Sequence, residues 1–336
     1  MKSLRNLFMV VALIAIPAFG QELTSDINLT VLDGNGNPIS GASATITFEP
    51  TNSSASKNTS NSGSVAFRGL RPGGPYTIEV SYGSNSESLS NVSLTVGDTF
   101  RSNVTLSTGS LEEIVTVASK LNTNKDIGFS TSVSSDDISK FSSVTRDLKD
   151  FVRLNPWSVA NDASDGQDAE LSIAAGGSRT NDILVDGASY NDDFGLNASG
   201  YPGQASPINL DSIEQLNVRV APSSIEYSNF EGGVIEVVTK GGTNDFKGSV
   251  YSYDRGDSFV GDSVDGRDID QEFDDTSEGF TLGGPIIKDK AFFFVAFESN
   301  DKTTPINYGP VGSGAPFSQP ITIEQVRQIQ TDTQNT

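Results

Sequence analysis

The sequence predicts a mainly β protein whose last part carries strands of the membrane-barrel type. Three observations carry this prediction. Alternating apolar and polar residues recur between turn-forming clusters of Gly, Pro, Asn and Asp in the first part of the chain. A middle part mixes strand-like with helix-like segments, and a last part carries alternating aromatic residues, as lipid-facing strands do. The 336 residues suffice for two domains or a little more.

Composition excludes several classes of function. The chain has 22 basic and 43 acidic residues, a net charge of −21, which argues against binding nucleic acid through a broad basic face. It contains no Cys, so a disulfide framework and thiolate metal sites are excluded. It contains no His, which excludes a Ser-His-Asp triad and histidine zinc sites. Catalysis by carboxylates, Lys or Tyr survives these exclusions, but no motif in the sequence supports it. We predict no enzyme, no catalytic residue, no metal site, no cofactor and no nucleic-acid partner.

Residues 1–20 have the pattern of a secretory signal peptide. Lys2 and Arg5 precede an apolar run at 7–16, and small residues stand where a signal peptidase reads, just before Gln21. A run of ten apolar residues falls short of the roughly 20 that span a bilayer as a helix. We expect an exported chain, in which any later membrane span is a β-barrel.

Residues 21–107 are predicted to form a small β-sandwich of six or seven strands. Residues 54–57 are expected to lie in a Ser- and Asn-rich loop between two of them. The predicted strands lie at 26–32, 44–48, 64–67, 76–80, 88–96 and 99–106.

Three patterns in this part resemble the carboxypeptidase regulatory-like domain. They are V-x-D-x-x-G-x-P-I-x-G-A from Val31, G-x-V-x-F-x-x-L-x-P-G from Gly63, and Y-T-I-x-V from Tyr76. The resemblance implies a transthyretin/immunoglobulin-like β-sandwich that serves as an accessory module. It implies no peptidase activity, since a zinc carboxypeptidase would need His ligands.

Residues 108–128 are predicted to be a linker that contains one isolated strand-like segment. A lone strand needs a partner edge, so the segment is either the first strand of the next domain or a peptide captured by another protein. It resembles the TonB box of TonB-dependent outer-membrane receptors, which implies pairing with TonB, the periplasmic energy-transducing protein. The residues of this TonB-box-like segment are Glu113, Ile114, Val115, Thr116, Val117 and Ala118.

Residues 129–244 are predicted to form a small mixed α/β domain. A helix is expected at 145–154, capped by Thr145, with Leu148, Phe151 and Val152 on one face. Asn209 is expected to cap a short helical turn. Strands are predicted at 169–173, 182–185, 214–220 and 234–239, and short helical turns at 209–213 and 222–227.

Three strings in this domain resemble the plug domain of TonB-dependent receptors. They run from Arg179 to Gly187, from Ser212 to Tyr227, where Ala221 replaces the usual Gly, and from Gly232 to Lys240. The plug-motif residues that the resemblance indicates are Arg179, Asp186, Gly187, Pro222, Gly232 and Gly233. The two adjacent glycines permit a tight turn and a close backbone approach. Asp-rich patches at 162–165 and 191–193 could touch cargo, although solvated loops are the simpler interpretation.

Residues 245–336 are predicted to start an outer-membrane β-barrel. Strands are expected at 246–253, 279–285 and 291–298, with an acidic external loop at 257–278 and a short helix at 322–329. Thr322 and Gln325 are spaced for a capping box at the start of that helix. The string F-x-L-G-G-P-I-I-K-D-K-x-F-F-F-x-x-F-E resembles the Oar-like branch of the receptors.

The predicted fold class is therefore mainly β. It comprises the transthyretin/immunoglobulin-like sandwich, the mixed α/β plug domain and the first strands of an incomplete transmembrane β-barrel. Receptors of this family close barrels of about 22 strands, whereas residues 245–336 suffice for roughly three or four. We therefore expect the chain to be the N-terminal part of a receptor, as a sequence fragment or a truncated gene product.

The resemblance implies TonB-dependent uptake of a scarce nutrient across the outer membrane of a Gram-negative bacterium. The plug would gate the barrel, and TonB would pair with the linker segment. Siderophore, cobalamin, glycan and peptide all stay open as cargo. The alternative is a secreted β-sandwich binding or adhesion protein without transport activity. An exported carboxylate hydrolase has no supporting motif.

Overall fold

The computed structural model describes residues 24–106, 129–143, 145–160, 170–197, 199–203, 206–225, 227–259, 263–264, 267–268, 273–303, 308–313 and 317–334. The predicted signal peptide and the TonB-box-like segment lie outside the described residues. Among the described residues, no helix is long and apolar enough to cross a bilayer.

Seven strands form the N-terminal sandwich. Alternation explains the first of them, in which Ile27, Leu29 and Val31 are fully buried and the residues between them face outward. One sheet has the order β3-β2-β5-β6, and the other has the order β4-β1-β7, with β1 and β7 parallel. The strands are β1 (Ser25–Asp33), β2 (Ser43–Phe48), β3 (Ser53–Asn58), β4 (Ser64–Leu70), β5 (Gly73–Tyr82), β6 (Asn85–Leu94) and β7 (Thr99–Leu106).

The expected loop at 54–57 is wrong, because this stretch is edge strand β3. All six residues of β3 are exposed, so no apolar alternation marks the strand in the sequence. Its backbone pairs with β2 from Ser43 to Phe48. Lys57 reaches across to the other sheet, where its Nζ donates to the Ala66 carbonyl at 2.8 Å. A lysine on an edge strand also disfavours pairing with another chain.

The plug is a mixed α/β domain, as predicted. Its five-stranded sheet has the order β12-β11-β14-β13-β8, in which β11 and β14 are parallel and the other pairs antiparallel. Its strands are β8 (Phe129–Ser134), β9 (Ser158–Ala160), β10 (Leu171–Ile173), β11 (Asp182–Val185), β12 (Ala188–Ser189), β13 (Ile213–Val220) and β14 (Gly233–Thr239). Its helices are α1 (Ser135–Lys140), α2 (Lys149–Val152) and the 3-10 turns Ser178–Thr180 and Leu210–Ser212.

The helix expected at 145–154 is too long, since α2 is one turn only. Arg146 has a φ of 51°, which lies in the left-handed region and prevents a helix from starting there. Thr145 does not cap the helix backbone; its hydroxyl donates to the Asp150 carboxylate at 2.9 Å. The expected apolar face is confirmed, because Leu148, Phe151 and Val152 are all buried in the plug core.

Two short helical turns were expected on either side of β13. The first is confirmed, since the Asn209 side chain accepts from the backbone N–H of Asp211 at 2.8 Å. The second is shorter than expected: in the described part of 222–227, the Tyr227 N–H donates to the Ser224 carbonyl at 3.2 Å and closes one turn.

Three long antiparallel strands follow the plug in the order β15-β18-β19. Val250, Phe280 and Phe297 stand opposite one another across the three strands and are exposed on one face of the sheet. The barrel-region elements are β15 (Lys247–Gly256), a 3-10 turn (Asp257–Phe259), β16 (Ser263–Val264), β17 (Arg267–Asp268), β18 (Asp274–Ile287), β19 (Ala291–Thr303), β20 (Tyr308–Val311), β21 (Phe317–Thr322) and α3 (Ile323–Gln334).

The acidic loop expected at 257–278 is shorter than predicted, because β18 already begins at Asp274. Its polar first residues continue the ladder, with Asp274 opposite Gly256 on one side and Thr303 on the other. The capping box at the last helix is confirmed. Gln325 N–H donates to Thr322 Oγ1 at 3.3 Å, and Thr322 N–H donates to Gln325 Oε1 at 2.8 Å.

Candidate functional site

The Asp186–Gly187 turn joins β11 to β12 and is tied to the end of β14. Both residues have positive φ, 47° and 77°, which suits the two central positions of a tight hairpin turn. The Asp186 carboxylate accepts from the Thr239 backbone N–H at 2.9 Å and from its hydroxyl at 2.7 Å. The turn therefore anchors β11 to the strand that leads out of the plug.

Gly232 and Gly233 lie at the other end of β14, where backbone segments come very close. A Cβ on Gly232 would collide with the Ile173 carbonyl, and a Cβ on Gly233 would collide with the Ile173 side chain and the Arg219 carbonyl. Neither glycine has a left-handed φ, so close approach rather than turn geometry requires them.

Pro222 is buried near this glycine pair. The residue before it, Ala221, has a φ of 45°, and its N–H donates to the Gly232 carbonyl at 3.1 Å. A left-handed φ is strained for alanine and free for glycine. This explains why the plug pattern usually has glycine at the position of Ala221.

Arg179 is exposed on a 3-10 turn, and its Nε donates to the Asn197 carbonyl at 3.3 Å. The turn is joined to the glycine pair through the Glu231 N–H, which donates to the Thr180 carbonyl at 2.8 Å. The structure thus brings Arg179, Pro222 and the glycine pair to one end of the sheet. The Asp186–Gly187 turn lies at the opposite end.

Sequence reasoning missed the contact between the plug and the barrel strands. The Arg146 guanidinium is ion-paired with Asp211 at 2.5 Å and with Glu298 of β19 at 3.1 Å. It also lies over the rings of Tyr251 and Tyr253 of β15, at 4.6 and 4.4 Å from their centroids. The Arg146 side chain is only 13% exposed.

Tyr251 completes this plug–barrel junction, which we define as Arg146, Asn209, Asp211, Tyr251 and Glu298. The Tyr251 hydroxyl donates to Glu298 at 2.7 Å and accepts from the Asn209 amide at 2.5 Å. Burial alone would lower the pKa of Arg146, but Asp211 and Glu298 outweigh it and hold that pKa above its usual value. The Arg146 guanidinium therefore stays positively charged beside the two carboxylates.

A second buried ion pair lies in the plug sheet, between Arg219 of β13 and Glu236 of β14. The Arg219 Nε is 3.3 Å from the Glu236 carboxylate, and both side chains are almost fully buried. Burial raises the pKa of Glu236 above its usual value, although Arg219 offsets part of the rise.

Asp182 gives the plug a pH-dependent stability that can be measured. Its burial raises the pKa of its carboxyl above 3.8, although Ser189 and Asn191 donate to it and offset part of the rise. The protonated Asp182 carboxyl is favoured in the folded plug. Its contribution to the free energy of unfolding is complete below about pH 4 and is lost as the pH rises through the raised pKa. Asp182→Asn is therefore expected to gain stability relative to wild type between about pH 4 and pH 7.

Thermal unfolding followed by Trp157 fluorescence at the two pH values checks this expectation. Trp157 is the only tryptophan and lies in the plug. Asp193→Asn is the matched control, because Asp193 is exposed and lies two residues after Asn191, one of the partners of Asp182. An equal response of both variants to pH would contradict the assignment.

Among the residues that the structure describes, no group of three or more Asp and Glu side chains is placed to hold a metal ion. The described part of the chain contains a small mixed α/β domain whose Arg146 is ion-paired with Glu298 of the long strand β19.

Three protein-family models match consecutive stretches of the chain. The carboxypeptidase regulatory-like domain matches residues 26–107, the TonB-dependent receptor plug domain matches 123–235, and an outer membrane beta barrel domain matches 238–310. These matches, in this order, confirm the resemblance to TonB-dependent outer-membrane receptors that the sequence indicates. The predicted fold class is confirmed.

Two particular receptors are similar to it. The TonB-dependent transporter Oar of Myxococcus xanthus is 33% identical over 152 residues, which are 42% of this chain and 14% of that protein. The probable TonB-dependent siderophore receptor PirA of Acinetobacter baumannii is 28% identical over 188 residues, 53% of this chain and 23% of that protein. The crystal structure of PirA matches with a TM-score of 0.43 and 23% identity, over 52% of this chain and 25% of that one. The matched part of the chain therefore spans a quarter or less of these relatives' length.

Proposed function

We propose that this protein takes up a scarce nutrient across the outer membrane, with the plug closing the barrel and TonB supplying the energy. The observation that carries the proposal is the plug–barrel junction, in which Arg146 holds the plug against the inner face of β15 and β19. The opposite face of the same strands carries the exposed residues Val250, Phe280 and Phe297. A plug fixed inside a lipid-embedded barrel must be moved before cargo can pass.

TonB pairing is assigned to the segment from Glu113 to Ala118. This segment has the apolar and β-branched residues of a strand that another sheet can add to its edge. Along the chain it precedes β8, which is an edge strand of the plug sheet and pairs with β13. A pull on the segment would therefore act first on the β8–β13 pairing.

Cargo contact is assigned to the plug loop at 190–197. Phe194 and Leu196 are 87% and 79% exposed there. The loop leads to Tyr201, which packs into the core beside α2. Tyr201 thus lies on the core face of the sheet, whereas Gln215 and Arg219 on the opposite face contact the sandwich. Because one relative is a probable siderophore receptor, ferric siderophores are the first cargo class to test.

Val115→Pro tests the TonB assignment. Proline removes a backbone N–H and prevents the segment from joining a sheet as a regular strand. Calorimetric titration of the purified periplasmic domain of TonB into the detergent-solubilised full-length protein is expected to show saturable binding. Val115→Pro is expected to weaken that binding at least about tenfold.

Val115→Thr keeps the β-branched shape and the N–H, so it serves as the matched control and should bind almost like wild type. Equal affinity of Val115→Pro and Val115→Thr would show that TonB does not use this segment.

A further inference from the structure

The loop between β6 and β7 of the sandwich is docked onto strand β13 of the plug. The Val96 N–H donates to Gln215 Oε1 at 2.9 Å, and the Val96 carbonyl accepts from Arg219 at 2.6 Å. The Gln215 amide also reaches the Leu94 carbonyl at 3.5 Å. Two side chains of one plug strand are therefore bonded to the backbone of one sandwich loop.

This contact is buried and closely packed. Val96 is fully buried, and Gln215 and Arg219 are 5% and 3% exposed. Gly97 has a φ of 70°, and a Cβ at this position would meet the Arg219 guanidinium at 2.6 Å. A side chain at position 97 would therefore have to displace the Arg219 guanidinium, which is the group bonded to the Val96 carbonyl.

The sandwich also contacts the plug near the first residue of β13 and at the exit towards the barrel. Gly73 lies against the Glu214 side chain, and the Arg71 guanidinium lies against Gly241. The Asn244 N–H donates to the Pro50 carbonyl at 2.8 Å. The sandwich therefore spans from β13 to the residues that lead into β15.

Strand β13 is central to the plug. It pairs with β8 on one edge and β14 on the other, and Leu216 and Val218 point into the plug core. Its opposite face carries Gln215 and Arg219. If the Val96 carbonyl shifted while the sandwich stayed in place, Arg219 would keep Glu236 but lose an acceptor, and a cation that loses an acceptor while it stays buried is destabilised.

We propose that the N-terminal sandwich is a clamp that holds β13 in place in the resting plug. The second part of the proposal rests on the proposed transport function: the clamp must leave β13 before the plug can rearrange. Along the chain, the predicted linker at 108–128 stands between the end of β7 and the start of β8. A pull on it would therefore act on the clamp and on the edge of the clamped sheet together.

Gly97→Ala tests the clamp, because the added methyl group is strained at that φ and collides with Arg219. Hydrogen exchange of the full-length protein, read by mass spectrometry, is expected to speed up about tenfold or more in β13 and β14. Exchange in the sandwich core strands β1 and β2 is expected to stay unchanged.

Gly83→Ala is the matched control. Gly83 also has a positive φ, 63°, but a Cβ there would meet nothing within 4 Å. It reproduces the backbone strain in the same domain without touching the plug. A second variant, Gln215→Leu, breaks the same contact from the plug side and is expected to accelerate exchange of the 94–98 loop.

The clamp is overturned if Gly97→Ala accelerates exchange of the 94–98 loop while β13 exchanges as in Gly83→Ala. It is equally overturned if Gln215→Leu leaves the loop unchanged. Because exchange needs neither TonB nor cargo, either result leaves the transport proposal standing, and loss of TonB binding leaves the clamp standing.

Discussion

Replacing Gly232 with alanine is expected to destabilise the plug by about 3 kcal/mol, at the upper end of the cost of overpacking a tight site. The new methyl group would overlap the Ile173 carbonyl and press on the Asn181 amide. Asn181 donates to the Leu171 carbonyl at 2.8 Å, so the strain would spread to β10. Urea unfolding followed by Trp157 fluorescence measures the effect, since this tryptophan is in the plug.

Gly203→Ala is the control for this substitution. Gly203 lies in a plug loop, and a Cβ there would meet nothing within 4 Å. It is expected to leave the unfolding midpoint almost unchanged. Equal midpoints for the two variants would mean that β14 can shift away from Ile173 and that the close approach is not required.

Removing the Arg146 side chain is expected to loosen the plug from the barrel strands. Arg146→Ala leaves Glu298 and Asp211 without their cation. It also removes the contacts of the guanidinium with the rings of Tyr251 and Tyr253. The expected loss is about 2–4 kcal/mol of plug–barrel contact energy, in the range for breaking one partner of a largely buried ion pair. Proteolytic release of the plug from the detergent-solubilised protein measures it.

Lys140→Ala is the matched control, because Lys140 forms an ion pair with Asp136 in which both side chains are largely exposed. Exposed pairs contribute little, so plug release should match wild type. Glu298→Gln and the double variant with Arg146→Ala complete a cycle. If the two substitutions add without coupling, the ion pair does not hold the junction.

Local pattern was enough to predict the elements whose residues alternate or cap. β1 could be predicted because Ile27, Leu29 and Val31 alternate with polar residues. The turn after Asn209 could be predicted because the Asn209 side chain caps it. β3 was missed because an edge strand can be held by backbone pairing alone, so its serines show no pattern. The long helix at 145–154 was wrong because Arg146 takes up a tertiary role that its sequence neighbours do not reveal.

The candidate site likewise has one part that the sequence predicts and one part that it does not. The glycine pair at 232–233 could be found from its string, because only glycine fits such a close backbone approach. The junction around Arg146 could not be found, since its five members are separated by up to 152 positions along the chain. The docking of Val96 on Arg219 is equally remote, with 123 positions between the two residues. Contacts of this kind depend on how the domains meet.

Single-molecule pulling tests the central claim most directly, namely that force on the linker removes the plug from the barrel. The chain contains no cysteine, so Thr116→Cys supplies a unique handle in the full-length protein embedded in a bilayer. The account predicts that plug strands extend first while the barrel stays in the membrane, and that Arg146→Ala lowers the rupture force. Extraction of barrel strands before the plug, or a rupture force unchanged by Arg146→Ala, would contradict it.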